Sequence, residues 1–148
     1  IAAGRRPEKR MLALDERVAT AGEAQALQIV AGDPVCAYHG LSLADGQPIA
    51  VFESLFPILR LPEITAALTE TSSVTRALSI AGIDDYTRAS TRLTAVRATA
   101  THALLLNVGE GDPLLRSSSV NTCAIGKPVE YGRTWFAGDR VTLTLEDQ

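Results

Sequence analysis

Arginine recurs at a spacing suited to oxyanions in the segment Tyr86-Thr87-Arg88-Ala89-Ser90-Thr91-Arg92. In an extended strand, side chains alternate between faces. Tyr86, Arg88, Ser90 and Arg92 then fall on one face, and Thr87, Ala89, Thr91 and Leu93 on the other. Two guanidinium groups with a hydroxyl between them can fork onto a phosphate, a phosphonate or a carboxylate. The same residues can equally form the solvated face of an antiparallel sheet, and spacing alone leaves both readings open. Glu130 is a second candidate. Gly132, Thr134 and Phe136 share its face, and an acid among small and aromatic neighbours can accept hydrogen bonds from a polar ligand. It can also be an ordinary surface glutamate. The run Arg116-Ser117-Ser118-Ser119 adds hydroxyls on another strand-like segment.

Cys36-Ala37-Tyr38-His39 has the C-x-x-H spacing that a zinc ion can use. Residues three apart on a strand point to opposite faces, so Cys36 reads as a small buried hydrophobe and His39 as a strand-end polar residue. No metal site is expected. His39 and His102 are the two histidines of the chain, and neither sits in a recognisable Ser-His-Asp setting. The sequence has no G-x-G-x-x-G, Walker loop, G-x-S-x-G or C-x-x-C motif.

The elements that must position these residues fit in one domain. The chain has 148 residues, 46% hydrophobic and 21% charged, with 14 Lys+Arg against 17 Asp+Glu. The net charge of −3 argues against a nucleic-acid grip by this segment itself and against a polybasic membrane patch. There is no apolar run of about 18 residues, the length a membrane helix needs. Two cysteines are too few for a disulfide scaffold and fit a cytoplasmic setting. Arg5, Arg6, Lys9 and Arg10 make residues 1–10 a basic lead-in or linker remnant before a domain of residues 11–148. The chain opens Ile1-Ala2-Ala3 with no initiator Met, and a fragment or processed form is the expectation.

Strands are predicted at 11–18, 35–43, 48–56, 86–98, 114–123, 129–136 and 141–145. Helices are predicted at 21–29, 61–69, 74–81 and 101–106. Asp45-Gly46 is a hairpin signal, because glycine takes the positive φ that a tight reversal needs. Ser72 or Ser73 can cap the helix at 74–81, with Gly82 stopping it. Strands joined by tight turns give an antiparallel sheet, so the class is α+β with the helices packed on one side. No internal repeat and no low-complexity segment stand out.

Seven segments, in order, resemble a known family. They are Ala-Gly-Asp-Pro-Val (31–35), Ala-Asp-Gly-Gln-Pro-Ile (44–49), Phe-Pro (56–57), Ser-Val-Thr-Arg-Ala-Leu (73–78), Ala-Gly-Ile (81–83), Gly-Lys-Pro-Val-Glu-Tyr (126–131) and Phe-Ala-Gly-Asp-Arg-Val (136–141). Together they look like a UTRA domain, the effector-binding half of GntR-type transcription regulators, in the histidine-utilisation-repressor branch. Asp85–Arg92 and Phe56–Arg60 look most like phosphonate-metabolism regulators. The resemblance implies a chorismate-lyase-like fold and a small anionic effector, a phosphonate or phosphate ester. It further implies a homodimer, and operator DNA contacted only through a winged helix-turn-helix absent here. No enzyme activity, cofactor or membrane contact is implied. The alternative is a lyase-type enzyme on the same fold, acting on a small aromatic carboxylate.

Sugar-phosphate-binding relatives carry an Arg-x-Arg pair where this chain has Gly40 and Ser42, so that pocket is not carried over. The glutamate of Gly-x-Pro-Val-Glu-Tyr matches at Glu130. The expected effector contacts are Arg88, Tyr86, Ser90, Arg92, Glu130, Arg60, Ser42 and Phe136.

Overall fold

The computed structural model describes residues 6–144. These form β1 (Pro7–Val18), α1 (Ala21–Leu27), β2 (Pro34–Ala44), β3 (Gln47–Pro57), α2 (Ile64–Glu70), α3 (Val74–Ile80), β4 (Tyr86–Arg97), α4 (Ala100–Leu106), β5 (Pro113–Cys123) and β6 (Pro128–Ala137). All six strands lie in one sheet, ordered β1-β2-β3-β6-β5-β4, with antiparallel neighbours throughout. The α+β class is as the turn pattern predicts. Asp45 and Gly46 close the β2–β3 hairpin with φ of 51° and 78°, the two positive values that match the twist of the flanking strands.

Three expectations need correction. β1 starts at Pro7 rather than Met11, and Lys9 and Arg10 of the expected lead-in pair with Ser42 and Leu41. The closing strand expected at 141–145 does not form: residues 141–144 have no regular structure, and Leu145 lies outside the described residues. Its hairpin partner would be β6, which β3 and β5 already bond on both edges.

The helices, thirdly, are not gathered on one side. α2 and α3 pack with Cys36, Tyr38, Phe56 and Val129. α1 packs with Val35, Ala37 and Leu55, and α4 with Leu41, Leu43 and Val51. Alternate residues of β2 therefore feed opposite layers. The run Val35–Tyr38 is buried without interruption, so both faces of the central strands need cover. Below, face A is the side of α2 and α3, and face B that of α1 and α4.

The fold is also duplicated, although no repeat is apparent in the sequence. β1-α1-β2-β3 and β4-α4-β5-β6 share order and pairing, and the strand order of the sheet is symmetric about β3/β6. Thr20 and Thr99 cap α1 and α4 by accepting from the N–H three residues on. Both helices end on a left-handed residue, Gln28 at φ 55° and Asn107 at φ 56°. The hairpins match as well: Ser42 pairs with Ala50 as Asn121 does with Glu130, each next to a bulge.

The duplication extends to one cation per half. Arg60 donates to the Leu27 and Gln28 carbonyls at the end of α1 and to Pro128 O across the sheet, all at 2.7 Å. Arg140 donates to Leu106 and Asn107 at the end of α4, and to Pro48 O, at 2.5–2.8 Å. Each clamp satisfies helix-end carbonyls that have no partner in their own helix and ties its helix to the other half. Arg60 is thus held by the fold through three backbone carbonyls, and it lines neither of the two cavities described below, where an effector contact was expected. Arg60→Ala and Arg140→Ala should each cost about 2–4 kcal/mol, since charged hydrogen bonds contribute about 1.5–3 kcal/mol each and do not simply add. Chemical denaturation of the two variants checks this, and a large difference between them would show that the clamps are not equivalent.

α1 is held to face B by charge. Arg17 forks onto Glu23 at 2.7 and 2.9 Å, and Arg133 reaches both Glu23 (3.2 Å) and Glu53. Glu23 also accepts from Thr20 N–H in a capping box. The Arg17 hydrogen bonds, then the Thr20 N–H and the charges of Arg17 and Arg133, outweigh burial and hold its carboxyl down at about 2. Because the folded value lies below the unfolded one, this contribution is complete above the ordinary carboxylate pKa of about 4.3 and fades as pH falls toward 2. Glu23→Gln should flatten the stability profile between about pH 4.5 and 2, measured by thermal melts across that range.

Candidate functional site

Along face A, α2 and α3 are only seven residues each, about 10 Å long. They cover Tyr38 and Phe56 but stop short of the β2–β3 and β5–β6 residues further along. A cavity of about 370 Å³ remains there. Its floor is the β3–β6 seam, where Phe52 pairs with Thr134 and Ser54 with Gly132. A side chain on Gly132 would come within 3.5–3.9 Å of Ser119 Oγ, Glu130 Oε2 and Ser54 Oγ, so the missing Cβ is what leaves the floor open between those three.

The lining draws on all six strands, from Lys9 on β1 to Arg88 on β4. In a flat sheet those edge strands would stand roughly 24 Å apart, five spacings of about 4.8 Å. Long side chains reaching inward from both edges bring the two cations to one hollow. Lys9 Nζ sits 5.5 Å from the centre of the Phe52 ring. Arg88 is set by Asn121, which accepts from Arg88 Nε at 3.0 Å and donates through Nδ2 to Glu130 Oε1 at 2.9 Å. The other guanidinium nitrogens of Arg88, and Glu130 Oε2, have no partner in this chain among the described residues. Asn121 thus fixes a cation and a nearly buried carboxylate while leaving a usable edge of each. Tyr86 Oη meets Thr75 Oγ1 of α3 at 3.0 Å, and Tyr38 Oη donates to Ser72 O, tying the rim to the helices.

Of the expected contacts, Arg88, Tyr86, Glu130, Ser42 and Phe136 line this cavity. Ser90 and Arg92 do not. A β-bulge between Arg88 and Ser90 leaves Ala89 without a partner, and the alternation inverts beyond it. Tyr86 and Arg88 stay on face A, while Ser90 and Arg92 turn to a second hollow on face B with Thr94, Arg116 and Ser118. The single face read from the sequence is split in two. Lys9, Asn121 and Ser54 were missed. Lys9 is recoverable, since it shares a face with Met11 once the strand is extended to Pro7. The C-x-x-H pair separates as alternation requires: Cys36 is in the face A core, where burial pushes its thiol up, and His39 Nε2 is 3.2 Å from Glu53 Oε2 in the face B network.

Gly40 has a different role. A Cβ there would lie 2.1–2.7 Å from the Phe52 ring. The ring therefore occupies the space above Gly40, edge-on to Tyr38 at 5.4 Å. Gly40→Ala should force the ring out of place at a cost of about 1–3 kcal/mol, the range for overpacking. Thermal denaturation together with the Phe52 ring proton shifts checks this; an unshifted ring and an unchanged melting temperature would refute it.

Comparison with known proteins bears on this geometry. Residues 2–142 match the family model of the UTRA domain. An uncharacterized HTH-type transcriptional regulator from Rhizobium meliloti is 37% identical over 131 residues, 88% of this chain and 54% of that protein. The chain therefore spans about half the length of this curated relative. Among solved structures, PhnF from Mycobacterium smegmatis superposes with a TM-score of 0.85 at 23% identity, over 98% of this chain and 64% of that one. The ligand-binding domain assigned to a GntR-family transcriptional regulator from Bordetella bronchiseptica gives 0.82 at 27% identity, over 97% and 93%.

Proposed function

The chain belongs to the UTRA domain family, and from that premise we propose that it is the ligand-sensing, non-enzymatic part of a GntR-type transcription regulator that binds a small anionic metabolite in the face A cavity. The observation that carries the reading is the Arg88–Asn121–Glu130 relay at its floor. It presents a guanidinium edge to an anion and a carboxylate oxygen to a donor, with Lys9 opposite. A phosphonate or phosphate ester fits that set, its oxygens taken by Arg88 and Lys9 and a hydroxyl or amine by Glu130.

The proposed mechanism is a shift in population. The ligand bridges cations carried by β1 and β4, the two edges of the sheet, and so favours the geometry in which they stand closer. In a homodimer, that change repositions attached DNA-binding heads relative to their half-sites. A coupling of about 1–3 kcal/mol suffices for such control. Operator DNA is contacted by another part of the protein, and the setting is cytoplasmic. No helix among the described residues is long and apolar enough to cross a membrane.

The test is a thermal-shift screen of phosphonates, phosphate esters and amino-acid breakdown products. A ligand at a hundred times its Kd should add about 2.7 kcal/mol. With a hit in hand, Arg88→Ala should weaken it about ten- to over a hundredfold, the equivalent of about 1.5–3 kcal/mol for charge-assisted bonds. Arg88→Lys should restore only part, because an ammonium cannot fork. Calorimetry decides it: unchanged affinity in Arg88→Ala would move the anion site away from β4.

A further inference from the structure

The hollow on face B is larger than the one on face A, about 490 Å³, and it lies on the far side of the sheet. Gln25 of α1 forms one wall, and Ser90, Arg92, Thr94, Arg116 and Ser118 of β4 and β5 form the floor. Arg92 pairs with Ser118 and Thr94 with Arg116, so the two guanidinium groups are diagonal neighbours across the ladder, a separation long side chains span.

Elsewhere on face B the cations have carboxylate partners, although Arg133 Nε is itself buried without an acceptor. Arg17 and Arg133 share Glu23 and Glu53. Arg92 and Arg116, in contrast, have no carboxylate within ion-pair reach among the described residues. Arg116 Nε is buried without an acceptor. A buried donor left unmatched is costly, and two like charges on adjacent strands repel. One group with several acceptor oxygens relieves both.

We propose that Arg92 and Arg116 form a second anion site, taking a phosphate-type oxyanion, distinct from the face A cavity. The Ala89 bulge creates it, because a regular β4 would send Ser90 and Arg92 to face A. Ser90, Thr94 and Ser118 supply hydroxyl donors, and the Gln25 amide closes the site from α1.

The probe is inorganic phosphate, titrated into the whole chain at constant ionic strength against chloride. The readout is the arginine Nε–H resonances by NMR. The expected result is a saturable shift of the Arg116 and Arg92 signals that chloride does not reproduce. Arg88→Ala should leave that curve unchanged. Arg92→Gln, read at the Arg116 signal, and Arg116→Gln, read at the Arg92 signal, should each weaken it at least tenfold, about 1.4 kcal/mol. Shifts that chloride matches, or that vanish only in Arg88→Ala, would overturn the site while leaving the face A reading standing. So would loss of dimer in sedimentation of Arg92→Gln without any change in the phosphate curve, which would make the pair a subunit contact.

Discussion

The β3–β6 seam is the contact on which the rest of the molecule depends. These strands are distant in sequence and no hairpin sets their register, yet they join two otherwise separate three-stranded ladders. Side chains must fix the alignment. On face B, Glu53 stands opposite Arg133 and the two form an ion pair. On face A, Phe52, Ser54, Gly132 and Thr134 make the cavity floor. A slip of one residue would send Arg133 into the cavity and Gly132 to the back. The same register thus closes the sheet, anchors α1 through Glu23 and keeps the floor open. The charge pair itself is not a large source of stability, since desolvation offsets most of its attraction. Its effect lies in which register it permits.

Duplication explains why the scaffold is balanced, and one insertion explains why the site is not. Each half clamps its own helix to the other through Arg60 or Arg140. Equivalent positions then diverge. Ala50 in the first half corresponds to Glu130 in the second, Phe52 to Gly132, Gly40 to Ser119 and Ser42 to Asn121, as the matching pairs show. The first half contributes bulk and the second contributes polar groups and space. α2 and α3 lie between the halves in sequence and cover only part of face A. What they leave uncovered is the cavity.

Much of this was legible in the sequence. Turn residues marked nearly every element, and alternation from Glu130 to Phe136 placed four lining residues on one face. The failures have physical causes. The Ala89 bulge carries no glycine or proline to announce it, and one extra residue inverts everything after it. Helices on both faces follow from the unbroken burial of Val35–Tyr38, a run readable as a doubly covered strand. The duplication survives in caps, clamps and pairing rather than in residue identities. Its faint signal is Gly-Asp-Pro at 32–34 and again at 111–113, where Asp33 and Asp112 each accept a backbone N–H three residues earlier. Arg60 was misread because a motif gives a residue's type and not its partners.

The edge strands link these points to the proposed sensing role. Lys9 and Arg88 belong to the strands farthest from the seam, and each edge strand is bonded on one side only. An edge strand is the part of a sheet that moves at least cost, because displacing it disturbs one ladder and not two. Lys9 and Arg88 line one cavity, and like charges there repel while no anion lies between them. In the proposed mechanism an oxyanion between them would reverse the sign of that interaction and draw the edges together. The seam is paired on both sides and pinned by Glu53 and Arg133, so in the proposed response it would be the part that moves least. On the proposed reading, ligand charge would be converted into a displacement of the sheet edges, largest at β1 and β4.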